Sequence, residues 1–467
     1  MGTAFMSCLE ELSKKKYKWE YVFTLQNDDI QIKTNEEIIQ ILKWLGGAND
    51  VEYGLNQKKL IEDMYKKFNW TFKDLKLFKD GYVQTSLART FVDFIVQKLD
   101  LTQMLHNLNN CGEYGCDELF FQTLLATDVL KAPNAFTHKC VDKNISTPFV
   151  NRFSIWVEDS NTLLCPSRYI RNDLCMFGLE DLVSVNLRDN DFLFANKIQA
   201  DFDFGAFLCW HEEMRSRTFL DKGLKRLNST FYQNWPQAII KIIIILSYKF
   251  QARFHKEMES ESEHHHRSNK IYKNEDLEKI NEKIWNSIKN EIKHDKERID
   301  CKRIIEGDED YIKLEAKSRL TYKDTKHLLM DCRSIKERNY FLEKPNEEKK
   351  YPLAYARIVY GSYRFLEAEF ATNYQHQNWY CYAVDSKIGN KQFFKRIKSL
   401  AKCFPNVISY RFLEAEFATN YQPQNWYCFA VDSKSGDNFF KRIKALANCF
   451  PNVIVPTKRF PVDSNGR

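Results

Sequence analysis

Glycine and proline are scarce, at 15 and 11 in 467 residues. That excludes collagen-like and low-complexity chains, which depend on one or both. No two cysteines form a CxxC pair, so zinc-ribbon and thioredoxin-type sites find no support. Charge of one sign is also lacking in quantity. The net charge is +7 in a chain with 28% charged residues, too dilute to argue for a nucleic-acid partner. The start, MGTAFMSCLEELSKKK, has no apolar core of signal-peptide length. The run AIIKIIIIL (238–246) carries Lys241 and falls short of the roughly 20 apolar residues of a spanning helix. A buried strand or helix is expected there ahead of a membrane span.

What is present suits a folded chain. Apolar residues make up 43% and aromatics 14%, enough for a sizeable core, and the length allows about three domains. Thirteen cysteines are many for a cytosolic enzyme and sparse for a small disulfide scaffold. With three glycosylation acceptor triplets, at Asn69, Asn144 and Asn228, they lean towards a secretory-pathway chain.

The clearest feature is an internal repeat. Residues 362–408 and 409–454 are near-identical, offset by 47 at Tyr363/Tyr410 and by 46 at Cys403/Cys449. Such closeness indicates recent duplication, because solenoid repeats need only keep a pattern. In each unit the spacing predicts a helix (Phe365, Leu366, Phe370, Tyr374), a strand (Trp379 to Asp385), a second helix (Phe393 to Ala401) and a strand from Val407. YPLAYARIVY (351–360) adds a strand ahead of the first unit. Strand–helix–strand–helix–strand order implies a parallel sheet with crossover helices. In the front part, residues 19–25 read as a buried strand and 36–45 and 87–99 as helices. Residues 256–300 are rich in Lys, Glu, Asn and His. Leu277, Ile280, Ile284, Ile288 and Ile292 form one narrow stripe there, expected of a helix docked by a single face. The tract His264-His265-His266 is read as solvated, with no metal site expected.

Long stretches of the sequence resemble the core-2/I-branching β-1,6-N-acetylglucosaminyltransferases, glycosyltransferase family 14. KYPLAYARIVY with YRFLEAEFATNYQPQNWYCFAVDSKS, RIKALANCFPNVIV, CKRIIEGDEDYI (301–312) and MDCRSIKERNYF (330–341) resemble that family's first half. WEYVFTLQNDDIQIKT (19–34), DGYVQTSLARTFVDFIV (80–96), GCDELFFQT (115–123), CMFGLEDL (175–182) and LFANKIQADFDFGAFLCW (193–210) resemble its second half. The resemblance implies an α/β fold of the GT-A nucleotide-sugar type, a mostly parallel sheet with flanking helices. It also implies a permuted order with one αβαβ unit duplicated. Three parts follow: 1–235, the acceptor and base half; 236–300, an apolar run and charged helical linker; and 301–467, the nucleotide-binding half. Two readings of the order stand side by side. One is a circular permutant rebuilding one domain; the other is a fusion of two tandem paralogues, in which AIIKIIIIL is a remnant of a membrane anchor.

The resemblance implies transfer of N-acetylglucosamine from UDP-N-acetylglucosamine to an O-glycan, in β-1,6 linkage, by an inverting route needing neither metal nor cofactor. Inverting transfer requires a base for the acceptor hydroxyl, an aligned reacting carbon and neutralisation of the departing diphosphate. Glu118 in GlyCysAspGluLeuPhe matches the family's base. A lone Asp-Glu pair would otherwise read as a solvated helix start. Lys197 and Arg171 match the diphosphate cations, Arg as a bidentate fork and Lys as a point charge. Counted from Cys175, Arg171 is one residue out of register. Asp385 and Asp432, at equivalent strand ends, are alternative donor-side aspartates. Val359 stands near the uracil, and Asp29 occupies a degenerate DxD position. Trp156 and Glu52 match acceptor positions, although a neighbouring family tyrosine is Glu158 here and a downstream acidic position is Gly54. The implied disulfides are Cys165–Cys175, Cys209–Cys301, Cys8 with Cys381 or Cys428, and Cys332 with Cys403 or Cys449. Cys111, Cys116 and Cys140 are left over. A Golgi, lumenal location follows from the resemblance, with membrane anchorage weakly encoded. The partners are the nucleotide sugar and a glycoprotein acceptor. Competing readings are a xylosyltransferase-like donor choice and an inactive, glycan-binding or misassembled product.

Overall fold

A computed structural model of the chain describes residues 2–14, 16–53, 81–111, 115–141, 149–157, 164–183, 187, 190–220, 227–239, 273–292, 297–341, 351–384, 391–411, 427–428 and 453–454. The chain divides into two compact units, Met1–Phe412 and Leu413–Arg467. Its strands are β1 (Tyr21–Leu25), β2 (Ile30–Gln31), β3 (Ser86–Ala88), β4 (Arg152–Ser154), β5 (Ile170–Arg171), β6 (Leu174–Cys175), β7 (Phe194–Asn196), β8 (Leu353–Val359), β9 (Trp379–Val384), β10 (Val407–Arg411), β11 (Tyr427–Cys428) and β12 (Val453–Ile454).

In the larger unit, five strands form a sheet in the order β10-β9-β8-β1-β3. The first four run parallel, and β3 pairs antiparallel with β1. β1 from the front of the chain and β8 from the rear are direct neighbours, with Tyr21 opposite Leu353 and Leu25 opposite Arg357. The expected strand–helix–strand–helix–strand series is present as β8, the helix Tyr363–Asn373, β9, the helix Lys391–Cys403 and β10. It is the first repeat unit that supplies β9 to this sheet. One boundary needs correction. Residues 87–99 are not one helix: Leu87 and Ala88 belong to β3, and the helix runs Arg89–Lys98. Pairing with β1 across a shared ladder wins over helical spacing at those two positions.

The side-chain alternation explains why both faces are covered. Tyr355, Val359, Tyr380, Tyr382 and Val384 fall in one core, while Ala354, Ala356, Ile358, Cys381 and Ala383 fall in the other. Period-2 alternation sends successive residues to opposite faces. The small residues on the second face let the buried helix Gly2–Leu12 lie close, where Cys8 bonds to Cys381. The stripe helix is Asn274–Ile292. Leu277, Ile284 and Ile288 are buried as expected of a single docked face.

A second sheet, β2-β7-β4, is small, with β7 antiparallel to β2 and parallel to β4. The loop between β1 and β2 is fixed on its far side by the helix Asn35–Trp44. Its Thr34 cap and Glu37 make reciprocal bonds, Glu37 N–H to Thr34 Oγ1 at 3.2 Å and Thr34 N–H to Glu37 Oε2 at 2.7 Å. In the smaller unit β11 and β12 pair in parallel, Tyr427 with Val453 and Cys428 with Ile454. The register repeats that of Tyr380 with Val407 and Cys381 with Ile408 in the first copy.

Five disulfides occur among the described residues. Cys165–Cys175 and Cys209–Cys301 are as implied. Cys8 takes Cys381, not Cys428, and Cys332 takes Cys403, not Cys449, because the first copy is the one in the sheet. Cys111 and Cys116, which were left without partners, bond to each other, and Cys140 is free. Among the described residues no helix is long and apolar enough to cross a membrane, and most of AIIKIIIIL lies outside them.

Candidate active-site cleft

Parallel strands collect ligand-facing groups at their carboxyl ends. Here β1 ends in Gln26-Asn27-Asp28-Asp29 and β8 in Tyr360, and the two ends are stitched together. Asn27 Oδ1 accepts from the N–H groups of Tyr360 (3.1 Å) and Gly361 (3.3 Å), and Tyr360 donates its hydroxyl to Asp28 Oδ2 (2.6 Å). Val359 itself is fully buried in the core, so of this strand end it is Tyr360 that is exposed.

Both expected cations reach this place. Lys197, just after β7, puts Nζ 3.9 Å from Asp28 Oδ2. Arg171 ends β5, in a hairpin bracketed by Cys165–Cys175. Its Nη1 donates to Gln199 Oε1 (2.5 Å) and lies 3.4 Å from Asp201, and its Nη2 donates to Tyr169 OH (3.3 Å). The Tyr169 hydroxyl and then Asp201 hold the guanidinium above its ordinary pKa, so it is a permanent cation. Gln199 closes the circuit by donating Nε2 to Asp28 Oδ2 (2.6 Å). Two cations and solvent access make a place where a diphosphate can sit.

Asp29 occupies the degenerate DxD position and is fully buried. Its oxygens accept from Gln26 N–H (2.6 Å) and Asn196 Nδ2 (2.8 Å), and Arg152 lies 3.6 Å away. Burial raises its pKa against those partners. Its lone pairs are thus committed to protein donors. The one group of His, Cys, Asp and Glu among the described residues with metal-binding proximity is Cys165, Cys175 and Asp181, whose sulfurs are spent in a disulfide. The tract at His264 lies outside the described residues.

Arg152 leads on to the second half of the cleft. Its guanidinium stacks over Tyr82 at 4.5 Å and donates to Gln26 Oε1 at 3.0 Å. Tyr82 OH accepts from Trp156 Nε1. Trp156 is 44% exposed, so part of its ring is open to solvent. Glu52 is half-buried, and burial pushes its carboxyl up to about 7. The charges of Asp50 and Glu118 push it the same way, against Arg152 and a Tyr82 backbone bond. Glu118 sits in a one-turn 3₁₀ helix, Cys116–Leu119, entered through Gly115 at φ +79°. The positive φ favours glycine at 115, and a Cβ added there would stand 2.9 Å from Glu118 Oε2 and push the carboxylate aside. Gly81 is held as tightly, with a Cβ there 2.2 Å from Glu52 O.

Contacts join Arg171 to Lys197 through Gln199 and Asp28, and Asp29 to Trp156 through Arg152 and Tyr82, while Glu52 feels the charges of Glu118 and Arg152. Asp385, Asp432, Glu158, Gly54, Asn69, Asn144 and Cys449 lie outside the described residues. Asn228 is exposed and caps the short helix Ser229–Gln233, its Oδ1 accepting from Phe231 N–H at 3.2 Å. Sequence reasoning missed Arg152, Tyr82, Asp28 and Gln199. Asp28 stood in the GlnAsnAspAsp motif, but the degenerate DxD position drew attention to its neighbour. Gln199 gave no signal.

A family model described as Core-2/I-Branching enzyme matches residues 1–186 and 409–467, together more than half of the chain. Its rear segment begins with the second repeat unit. The chain is 34% identical over 121 residues to a beta-1,3-galactosyl-O-glycosyl-glycoprotein beta-1,6-N-acetylglucosaminyltransferase of Bos taurus, covering 23% of this chain and 28% of the relative. The Homo sapiens protein of the same name is 31% identical over 121 residues, with the same coverage. The Bos taurus beta-1,3-galactosyl-O-glycosyl-glycoprotein beta-1,6-N-acetylglucosaminyltransferase 3 is 33% identical over 123 residues, covering 24% and 28%. The chain thus spans 28% of the length of the curated relatives it matches.

Proposed function

The chain belongs to the Core-2/I-branching enzyme family, and from that premise we propose that it transfers N-acetylglucosamine from UDP-N-acetylglucosamine to a β-1,3-galactosyl O-glycan of a glycoprotein. The new bond is β-1,6 and the route inverting. Glu118 takes the proton from the acceptor hydroxyl as its oxygen bonds to the anomeric carbon. The bond from that carbon to the diphosphate breaks on the opposite side, and UDP leaves with the electron pair. Arg171 and Lys197 carry the charge that builds on the diphosphate. Asp29 has its oxygens bound to protein donors, which supports a metal-independent route. Trp156 offers a face to the acceptor sugar. Glu52, whose carboxyl burial pushes up to about 7, offers it a hydrogen bond when protonated. The family resemblance leaves Asp385 and Asp432 as equivalent candidates for a donor-side aspartate.

One observation carries the reading. Arg171 and Lys197 converge through Gln199 on Asp28, at the carboxyl ends of two adjacent parallel strands. The pairing of β1 with β8 favours the permuted arrangement, with front and rear as complementary halves of one pocket. A Golgi, lumenal location fits the five disulfides.

The test is transfer from UDP-N-acetylglucosamine to a β-1,3-galactosyl O-glycan by protein made under oxidising conditions, with the linkage read by NMR. Transfer that persists in EDTA and drops at least about 100-fold in Glu118→Gln supports the reading. Transfer from UDP-xylose instead would establish the alternative donor. No transfer from either sugar would leave a glycan-binding or inactive chain.

A further inference from the structure

We propose that Gln199 is a positioning residue that sets the spacing of Arg171 and Lys197 for the donor diphosphate; this rests on the donor reading given above. Gln199 is the N-cap of the helix Ala200–Phe219, with extended φ/ψ and no side-chain bond to the helix it precedes. N-caps favour short polar residues because those reach back to the first free N–H groups. A glutamine here gives up that bond, and its amide is used elsewhere.

The amide bridges Arg171 and Asp28. Oε1 accepts from Arg171 Nη1 at 2.5 Å, and Nε2 donates to Asp28 Oδ2 at 2.6 Å. A guanidinium only donates and a carboxylate only accepts, so one orientation of the amide serves both ends. Asp28 in turn faces Lys197 Nζ at 3.9 Å and accepts from Tyr360 OH at 2.6 Å. Arg171 is also held by Tyr169 and Asp201, but on an exposed hairpin. Of its partners, Gln199 is the one that ties it to the Lys197 side. Without it, two cations on separate loops would each wander, and misplacement of about 1 Å in a charge-neutralising group can cost about 100-fold.

The chemistry offers its own rescue. Gln199→Ala removes the bridge. Gln199→Glu keeps the bond to Arg171 but sets two carboxylates against each other at Asp28. Adding Asp28→Asn restores the bridge with donor and acceptor exchanged.

UDP affinity is read by calorimetry, KM and kcat for UDP-N-acetylglucosamine by transfer assay, and folding by thermal melting. Gln199→Ala is expected to weaken UDP about tenfold and raise the donor KM similarly, with the melting temperature little changed. Gln199→Glu should be weaker still, and Gln199→Glu/Asp28→Asn should return to within about threefold of the parent. Unchanged UDP affinity in Gln199→Ala, while Arg171→Ala loses it, overturns the inference and leaves the donor reading standing. A double variant no better than Gln199→Glu also overturns it. If the parent protein binds no UDP, the donor reading falls and this inference with it.

Discussion

Tyr360 donates its hydroxyl to Asp28 across 2.6 Å, and the two residues stand 332 positions apart in the chain. With the two backbone bonds from Tyr360 and Gly361 to Asn27, it fastens the end of β8 to the end of β1. Tyr360→Phe removes one bond to a charged acceptor and keeps the ring. Stability should fall by roughly 1 kcal/mol, as for a single hydrogen bond at a partly exposed site. Asp28 then loses one of its four anchors, the others being Gln199, Lys197 and Asn27, so the donor KM should rise about three- to tenfold while kcat stays within twofold. Denaturant melts and a donor titration check both halves.

Arg152 is the joint between the donor and acceptor sides, and its side chain is only 4% exposed. It faces a carboxylate, Asp29, with no exposure at all. Removing one partner of a buried pair strands the other, at a cost of about 3–5 kcal/mol. Arg152→Met should therefore lower stability by that order, and Arg152→Met/Asp29→Asn should recover most of it. The pairing is independent of turnover, so urea midpoints decide it without an activity assay.

Much of this arrangement was legible in the residues. The apolar stripe ending at Ile292, the strand from Leu353 and the helix after Tyr363 follow from spacing, because one buried face forces one period. The family's motifs pointed to Glu118, Arg171 and Lys197; the structure joins Arg171 to Lys197 through Gln199 and Asp28 and sets Glu118 on the turn after Gly115. The misses share a cause. Arg152 and Gln199 matter through long-range partners, Asp29 at one end and Arg171 with Asp28 at the other, and local pattern carries no trace of such pairing. The choice between the two repeat units is likewise invisible in sequence, since Cys381 and Cys428 sit in the same motif. Only the sheet, by taking β9 from the first copy, decides it.

Asp50 gives a pH signature for folding. It is buried, accepts from Val150 N–H at 2.9 Å and from Ser86 Oγ at 3.1 Å, and burial pushes its carboxyl from 3.8 up to about 7. The raised value fixes the sign: between about pH 4 and 7 the folded form holds a proton that the unfolded chain has released. That contribution is complete below the unfolded pKa and is lost as pH rises through 7. Roughly 2–4 kcal/mol is at stake for this group. Asp50→Asn should flatten the fall in urea midpoint between pH 5 and pH 8; an unchanged slope would refute the assignment.

Glu52 gives the matching signature in activity. Burial raises its value to about 7, and the charges of Asp50 and Glu118 add to the rise. Glu52→Gln fixes the neutral form that can donate a hydrogen bond. In the parent the acceptor KM should rise about three- to tenfold as pH climbs through 7 and that donor is lost. In Glu52→Gln the acceptor KM should stay flat from about pH 6 to pH 8. An equal rise in both proteins would mean that another group titrates.

The Cys111–Cys116 bond bears on the base through Gly115. It closes the short loop 111–116, and Asp117-Glu118 follow at once. Closing so short a loop restricts the unfolded chain by about 2 kcal/mol, model-dependent. Its larger effect should be local, since the 3₁₀ turn carrying Glu118 is one turn long and is entered through a left-handed glycine. Cys111→Ser/Cys116→Ser should cut kcat about tenfold and leave UDP affinity unchanged, because the cations lie on other loops. Gly115→Ala should do worse, adding a Cβ 2.9 Å from Glu118 Oε2 at a φ that disfavours it. If the serine pair keeps full kcat while Gly115→Ala loses it, the glycine alone orients the base and the disulfide serves only stability.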